Sequence, residues 1–202
     1  MIELLVALAI CGIVVTGTYR FFVTQTKAYS VQEQVIETQQ SVRLAMEILL
    51  RDLRMAGYDD DSIKSTVTIN DPITGPLRDD AITLSYEYYD KTALQYQKHT
   101  VAYRREMNPS RLIRQLTVNE VAGSSDVLLE NVEDFKLTYG INTNDDGELD
   151  QWVPANKVER NRVMAVHVVL STTPTQINQD SRMVSPRTLA STVTLRNLNM
   201  VR

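Results

Sequence analysis

The chain has 202 residues, 43% hydrophobic and 23% charged, an ordinary balance for one domain or one domain with an extension. Its formal net charge of −4 argues against general nucleic-acid binding, which needs surplus Lys and Arg to neutralise phosphates. A single cysteine, Cys11, rules out an intrachain disulfide and a cysteine metal cluster, and two histidines, His99 and His167, are too few for a histidine-rich zinc site.

From Leu4 to Val15 the sequence reads LLVALAICGIVV, without a charge, and the apolar character continues weakly to Tyr19. The 19 residues from Met1 to Tyr19 are just enough to cross a bilayer as a helix. A cleaved secretory signal would begin with basic residues and end at a small-residue cleavage site; here Met1-Ile2-Glu3 stands in front and no A-x-A follows. Two readings remain, a plain anchor and a specialised helix, and Glu3 is what separates them. A carboxylate at the edge of an apolar helix is costly in lipid and calls for a partner, unless it faces the headgroups.

Between Thr24 and Gly57 there is no proline and no internal glycine. Apolar or small residues recur in steps of three and four at Ala28, Val31, Val35, Thr38, Val42, Ala45, Leu49, Leu53 and Ala56, with Met46 and Leu50 widening the stripe. Glu47 and Arg51 form an i,i+4 acid-to-base pair, Arg51 and Arg54 suit the negative end of the helix dipole, and Gly57 is a natural C-cap. Residues 1–56 are therefore expected to form one nearly continuous helix, about 80 Å long. The stripe from Val42 to Ala56 is expected to be the core face against the head, and the residues before it to face lipid or neighbouring subunits. Arg51, Asp52 and Arg54 are left open between salt bridges, to the head or to another subunit, and solvated charge.

The run Ile2-Glu3-Leu4-Leu5-Val6-Ala7-Leu8-Ala9-Ile10 resembles the start of the type IV prepilin family, and Glu3 matches the family's glutamate. The family's leader, its Gly and its Phe-Thr pair have no counterpart before Met1, so no processing residue is assigned. The segment Arg43-Leu44-Ala45-Met46-Glu47-Ile48-Leu49-Leu50-Arg51-Asp52-Leu53-Arg54-Met55-Ala56-Gly57-Tyr58 resembles minor pilins of the PilW type, and its acid-arginine part also resembles the GspJ pseudopilins of type II secretion. The stretches LLENVEDFKLTYGI and TLASTVTLRNLN extend the PilW likeness into the rest of the chain. The resemblance implies a register role for Glu3, pairing with the N-terminal amine of a neighbouring subunit. Arg20 and Lys27 follow the span, so the positive-inside rule alone would keep the head cytoplasmic; the resemblance implies a head outside the cytoplasmic membrane.

Beyond Asp59-Asp60-Asp61, a polar connection, and the turn-rich loop from Asn70 to Pro76, short β-favouring segments alternate with turns. Strands are expected at 81–89, at 100–104 and 111–116 as a hairpin through Asn108-Pro109-Ser110, at 163–170 as a central strand, and at 188–198 closing the sheet. Residues 127–139 are expected to hold a short turn or helix and then a strand. The tyrosines Tyr86, Tyr88, Tyr89, Tyr96 and Tyr103 suit half-buried strands. His167 is expected in the core or on a sheet face, and His99 to be exposed. No G-x-S-x-G, glycine-rich phosphate loop or paired-carboxylate signature occurs, so no catalytic residue is assigned and an enzyme is not expected.

The segment from Asn142 to Asp150 places oxygen side chains at alternate positions with Gly147 sixth, the first half of a calcium-loop pattern. Asn142, Asn144, Asp146 and Asp150 would be ligands, with the carbonyl of Glu148. Val153 stands at the twelfth position in place of a bidentate Glu. The competing reading is a tight hairpin, because Asp146-Gly147 is a strong type I′ turn signal.

The expected fold is α+β: a long N-terminal helix packed on an antiparallel β-sheet head, a pilin fold. Residues 1–23 would be the transmembrane and assembly part, 24–57 the amphipathic spine, and 58–202 the mixed α/β head. The resemblance implies a minor pilin that helps initiate or cap a type IV pilus. Its partners would be other pilins, minor pilins, the inner-membrane assembly machinery and, before assembly, the membrane. Calcium is the only cofactor the sequence raises.

Overall fold

The computed structural model describes residues 2–59, 67, 69, 71–144, 146–158, 162–174, 185–195 and 197. A single helix, α1, runs through 54 residues, Ile2–Met55, with Glu3 in its first turn and Arg54 in its last. Its polar residues do not interrupt it. Thr16, Thr18, Thr24 and Thr26 each donate their hydroxyl to the carbonyl four residues back, which satisfies these groups inside the helix itself.

α1 buries only its C-terminal part. Val42, Ala45, Met46, Leu49, Leu50, Asp52 and Leu53 are buried, in the expected steps of three and four, whereas Leu4, Leu5, Leu8, Ile13, Phe21 and Phe22 are each more than half exposed. The stripe thus divides where expected, near Val42. The apolar N-terminal stretch is long and apolar enough to cross a membrane, and none of it is buried within the chain.

The head holds two antiparallel sheets where the sequence pattern suggested one. The first has five strands in the order β1 (Ile73–Thr74), β2 (Ala81–Asp90), β3 (Gln95–Met107), β4 (Ser110–Val118) and β5 (Val121–Glu130). The second has four, in the order β7 (Gln151–Val153), β6 (Val132–Ile141), β8 (Val163–Thr172) and β9 (Arg187–Thr194). A short 3-10 helix, Ala155–Lys157, follows β7. The chain passes from the first sheet to the second through one residue, Asn131, whose φ is 52°. Residues 127–139 therefore form a turn between two strands and contain no helix. The β3–β4 hairpin turns at Asn108-Pro109, as the sequence indicates. β9 ends at Thr194; Arg196 and Leu198, like Asp60, Asp61 and Asn70 of the expected connections, lie outside the described residues.

Both sheets turn apolar faces towards the end of α1. Ile82, Leu84, Val101 and Leu112 from the first sheet join Phe135, Leu137, Val166, Val168, Leu170 and Val193 from the second in one core with Leu49 and Leu53. Burial at these alternate strand positions is the main apolar gain holding spine to head, at about 1.5–3 kcal/mol for each large side chain.

Gly57 ends the helix with φ 74°, and its N–H donates to the Ser85 carbonyl at 2.9 Å, so the helix cap is also the first bond to β2. A Cβ there would lie 2.8 Å from Pro72 Cγ. Gly57→Ala is expected to destabilise the chain by roughly 1–3 kcal/mol, through left-handed strain and this clash. Chemical denaturation of the full chain in detergent checks it; an unchanged midpoint would mean that the cap does not set the junction.

Candidate functional site

The surface that stands out is the apolar half of α1 with Glu3 at its tip. Glu3 is exposed, and among the described residues it has neither a hydrogen-bond nor an ion-pair partner. In the first helical turn an acid also favours the positive end of the helix dipole, worth about 0.3–1 kcal/mol at an exposed site. That contribution is small beside the cost of an unpaired carboxylate in hydrocarbon.

The junction between spine and head is built around Asp52, which is buried although it lies on the helix. Tyr103 Oη donates to Asp52 Oδ2 at 2.6 Å, and Arg114 Nε donates to the same oxygen at 2.9 Å. Arg51 Nε lies 3.5 Å from the other carboxylate oxygen and is largely exposed. Of the three charges left open by the sequence, Asp52 is therefore committed to the sheet, by two partners on adjacent strands β3 and β4. Burial opposes the Arg114 charge, but the hydrogen bond and charge of Asp52 outweigh it and raise the guanidinium above its ordinary pKa. Burial and then the Asp52 charge push the Tyr103 phenol well up, so it remains a donor.

Beside this cluster, His99 is half-buried, where the sequence suggested exposure. Its ring centroid lies 5.0 Å from Tyr88 and 5.5 Å from Tyr86, so two tyrosines on β2 cover it. Burial, then the nearby Arg114 charge, lowers its pKa below the ordinary 6.5. Of the strand tyrosines, Tyr86 and Tyr103 are buried and Tyr88 is 50% exposed. His167 sits on the outer face of β8, with Nδ1 2.9 Å from Thr192 Oγ1 and Trp152 edge-on at 6.0 Å.

The 142–150 segment joins β6 to β7 as a nine-residue loop, longer than the two-residue turn that Asp146-Gly147 signalled. Asn142 Oδ1 accepts the Asn144 N–H, Asn144 Oδ1 the Asp146 N–H, and Asp146 Oδ1 the Glu148 N–H. Three successive side chains thus cap the backbone two residues on. Asp150 Oδ2 accepts both the N–H and the hydroxyl of Thr143 at 2.6 Å, and the hydroxyl bond first, then the backbone bond, hold its carboxyl below the ordinary value. Asn142 is buried, whereas Asn144, Asp146, Glu148 and Asp150 are exposed. Among the described residues no three His, Cys, Asp or Glu side chains gather as a metal group; two of the oxygen side chains here are amides.

An apolar helix standing out of an antiparallel head, anchored to it by a buried ion pair, is the architecture of a pilin fold. A family profile of the type IV pilus-assembly protein W matches residues 96–197, just over half of the chain, which thus belongs to that family. The matched region begins in β3 and runs past β9, through the second sheet in full. A type IV-like pilin from Thermus thermophilus superposes with a TM-score of 0.48 at 12% identity, covering 79% of this chain and 96% of that one. No curated protein matches in sequence.

Asp52→Ala would leave the Arg114 guanidinium, 17% exposed, without its counter-charge. Loss of one partner of a buried pair costs roughly 3–5 kcal/mol, and the residual exposure of Arg114 puts this case at the lower end. The double replacement Asp52→Leu with Arg114→Leu is expected to cost clearly less than Asp52→Ala. Denaturant midpoints of Asp52→Ala, Asp52→Leu, Arg114→Leu and the double variant check the order; losses of the two leucine singles that add up to that of the double would show that the two side chains are not coupled.

Proposed function

We propose that the chain is a minor pilin of a type IV pilus, a structural subunit that helps initiate or cap the fibre. The observation that carries this reading is the apolar N-terminal stretch of α1, none of it buried within the described chain, with one acid among its first residues, in a member of a pilus-assembly family. In this reading the helix rests in the inner membrane with the head outside the cytoplasm. The subunit then exchanges lipid contacts for contacts with the helices of other pilins and minor pilins, handed over by the inner-membrane machinery. Glu3 sets the axial register by meeting the N-terminal amine of a neighbour, because a carboxylate moving into a helix bundle must find a cation.

Glu3→Ala is expected to abolish or strongly reduce piliation while leaving the chain inserted in the membrane and its head resistant to protease. Fibre counts by electron microscopy, beside immunoblots of membrane fractions, check it. Wild-type numbers of fibres would remove the register role. The acid-arginine run Arg51-Asp52-Leu53-Arg54 also favours a second reading, a GspJ-like pseudopilin. Deletion of the gene separates the two: loss of surface fibres supports the pilus, and loss of exoprotein secretion with intact fibres supports the pseudopilus.

We also propose the 142–150 loop as a weak calcium site on Asn142, Asn144, Asp146 and Asp150, with the Glu148 carbonyl. Support comes from the alternating oxygens and from a loop already curled by its own side chains. With two amides among the ligands and no twelfth-position Glu, the affinity is expected near the millimolar end of calcium loops. Calorimetry of the full chain with calcium should show heat that Asp146→Ala removes; a flat titration at millimolar calcium disposes of the site.

A further inference from the structure

β2 and β3 run on past the rest of their sheet. β4 pairs with β3 only as far as Val118 opposite His99, and Asn119 in the turn after it adds two bonds to Lys98. The chain leaving α1 reaches β2 only as far as Glu87, whose N–H donates to the Tyr58 carbonyl at 2.8 Å. Beyond that level Tyr88, Tyr89 and Asp90 pair with Gln97, Tyr96 and Gln95, and among the described residues no third strand joins them. A two-stranded ribbon is marginal in water by itself, so the contacts at its base decide whether it stays ordered on the head.

His99 stands at that base. It lies opposite Tyr86 across β2 and β3, and its ring meets Tyr86 at 5.5 Å and Tyr88 at 5.0 Å. Tyr86 belongs to the core, whereas Tyr88 belongs to the ribbon and is 50% exposed. The imidazole therefore joins the ribbon to the core. Its Nε2 is buried and has no hydrogen-bond partner among the described residues. A neutral imidazole tolerates this, because its one hydrogen can sit on Nδ1 and leave Nε2 as a bare acceptor. A protonated imidazole carries a hydrogen on both nitrogens, and Nε2–H becomes a buried donor with nothing to accept it.

The surrounding charges do not repair this. Arg114 of β4, Asp52 of α1 and Asp90 of β2 act on His99, and Tyr86 and Tyr88 of β2 are the titratable groups in contact with it. Arg51 of α1 lies against Asp52 and is largely exposed. Asp52 Oδ2 is taken by Tyr103 and Arg114. Asp90 accepts the N–H groups of Thr92 and Ala93 and the Gln97 amide. The tyrosine faces attract a cation weakly but supply no acceptor for its N–H. Burial first, and the Arg114 charge second, hold the closed ring below the ordinary 6.5.

We propose that His99 is an acid-sensitive clasp: its neutral ring, between Tyr86 and Tyr88, holds the ribbon of residues 88–97 on the head, and protonation at Nε2 releases the ribbon while the core stays folded. The clasp is built from residues of the head and its junction with α1, so it stands apart from the assembly reading above. In the released ribbon the imidazole meets water and titrates near its ordinary value; in the closed one it titrates lower. The clasp therefore contributes in full above about pH 6.5 and is lost as the pH falls from there through the closed-state value. Over that interval the released population rises by up to about tenfold per pH unit.

Hydrogen exchange of the full chain in detergent tests this, read by mass spectrometry at about pH 7.5 and about pH 5.5 and corrected for the intrinsic effect of pH on exchange. The interval lies above the carboxylate range, so histidine dominates it. Residues 88–97 are expected to lose about tenfold in protection, with β6 and β8 unchanged. His99→Gln should remove the loss, because an amide takes up no proton, and His167→Gln, which removes the other histidine, should keep it. Should His99→Gln fail to fold, the His99 ring signal decides: followed by NMR in the His167→Gln chain, its midpoint must lie below 6.5 and ribbon release must track it. Equal ribbon protection at both pH values overturns the proposal. So does an acid loss that persists in His99→Gln, an ordinary His99 midpoint, or a loss that spreads through β6 and β8 as general unfolding.

Discussion

The constraint on which the structure depends is a mismatch between one helix and one small domain. α1 has 54 residues, and the head reaches only its C-terminal part, from about Val42 onwards. Exposed leucines, isoleucines, valines and phenylalanines crowd its first part, from Ile2 to Phe22, far more apolar surface than isolated surface residues would give. Water is the wrong solvent for that surface, and among the described residues no second layer covers it. The head is accordingly organised around the short stretch of helix it does hold, with two sheets sharing one core against it.

The connection between spine and head combines apolar burial with one directed polar contact. Apolar side chains such as Leu49 and Leu53 supply most of the attraction but fix neither rotation nor height along the helix axis. Asp52 does, because its carboxylate must meet both Tyr103 and Arg114 in the same place. A buried pair of this kind contributes little net stability relative to an apolar replacement, and its attested use is to select one register. Together with the Gly57 bond to β2, it holds the helix in one setting against the first sheet. Under the proposed assembly through the helix, such a fixed setting would let the position of the helix dictate where the head stands.

The sequence alone determined the helix, its division near Val42, its glycine cap, the strongly alternating strands and the family likeness, because each is written in local periodicity or in a contiguous motif. β5 escaped notice because it is an edge strand exposed on both faces, and Val121-Ala122-Gly123-Ser124-Ser125-Asp126 has no alternation to read. Separation of the strands into two sheets was equally hidden, since a single left-handed residue, Asn131, makes the change. The burial of Asp52 and His99 was decided only by the tertiary structure. Asp52 meets its partners 51 and 62 residues further along the chain, and His99 is covered by tyrosines of a neighbouring strand. A spacing rule sees side chains that share one helix face or one strand; charges and rings brought together from distant segments acquire their surroundings only when the chain folds.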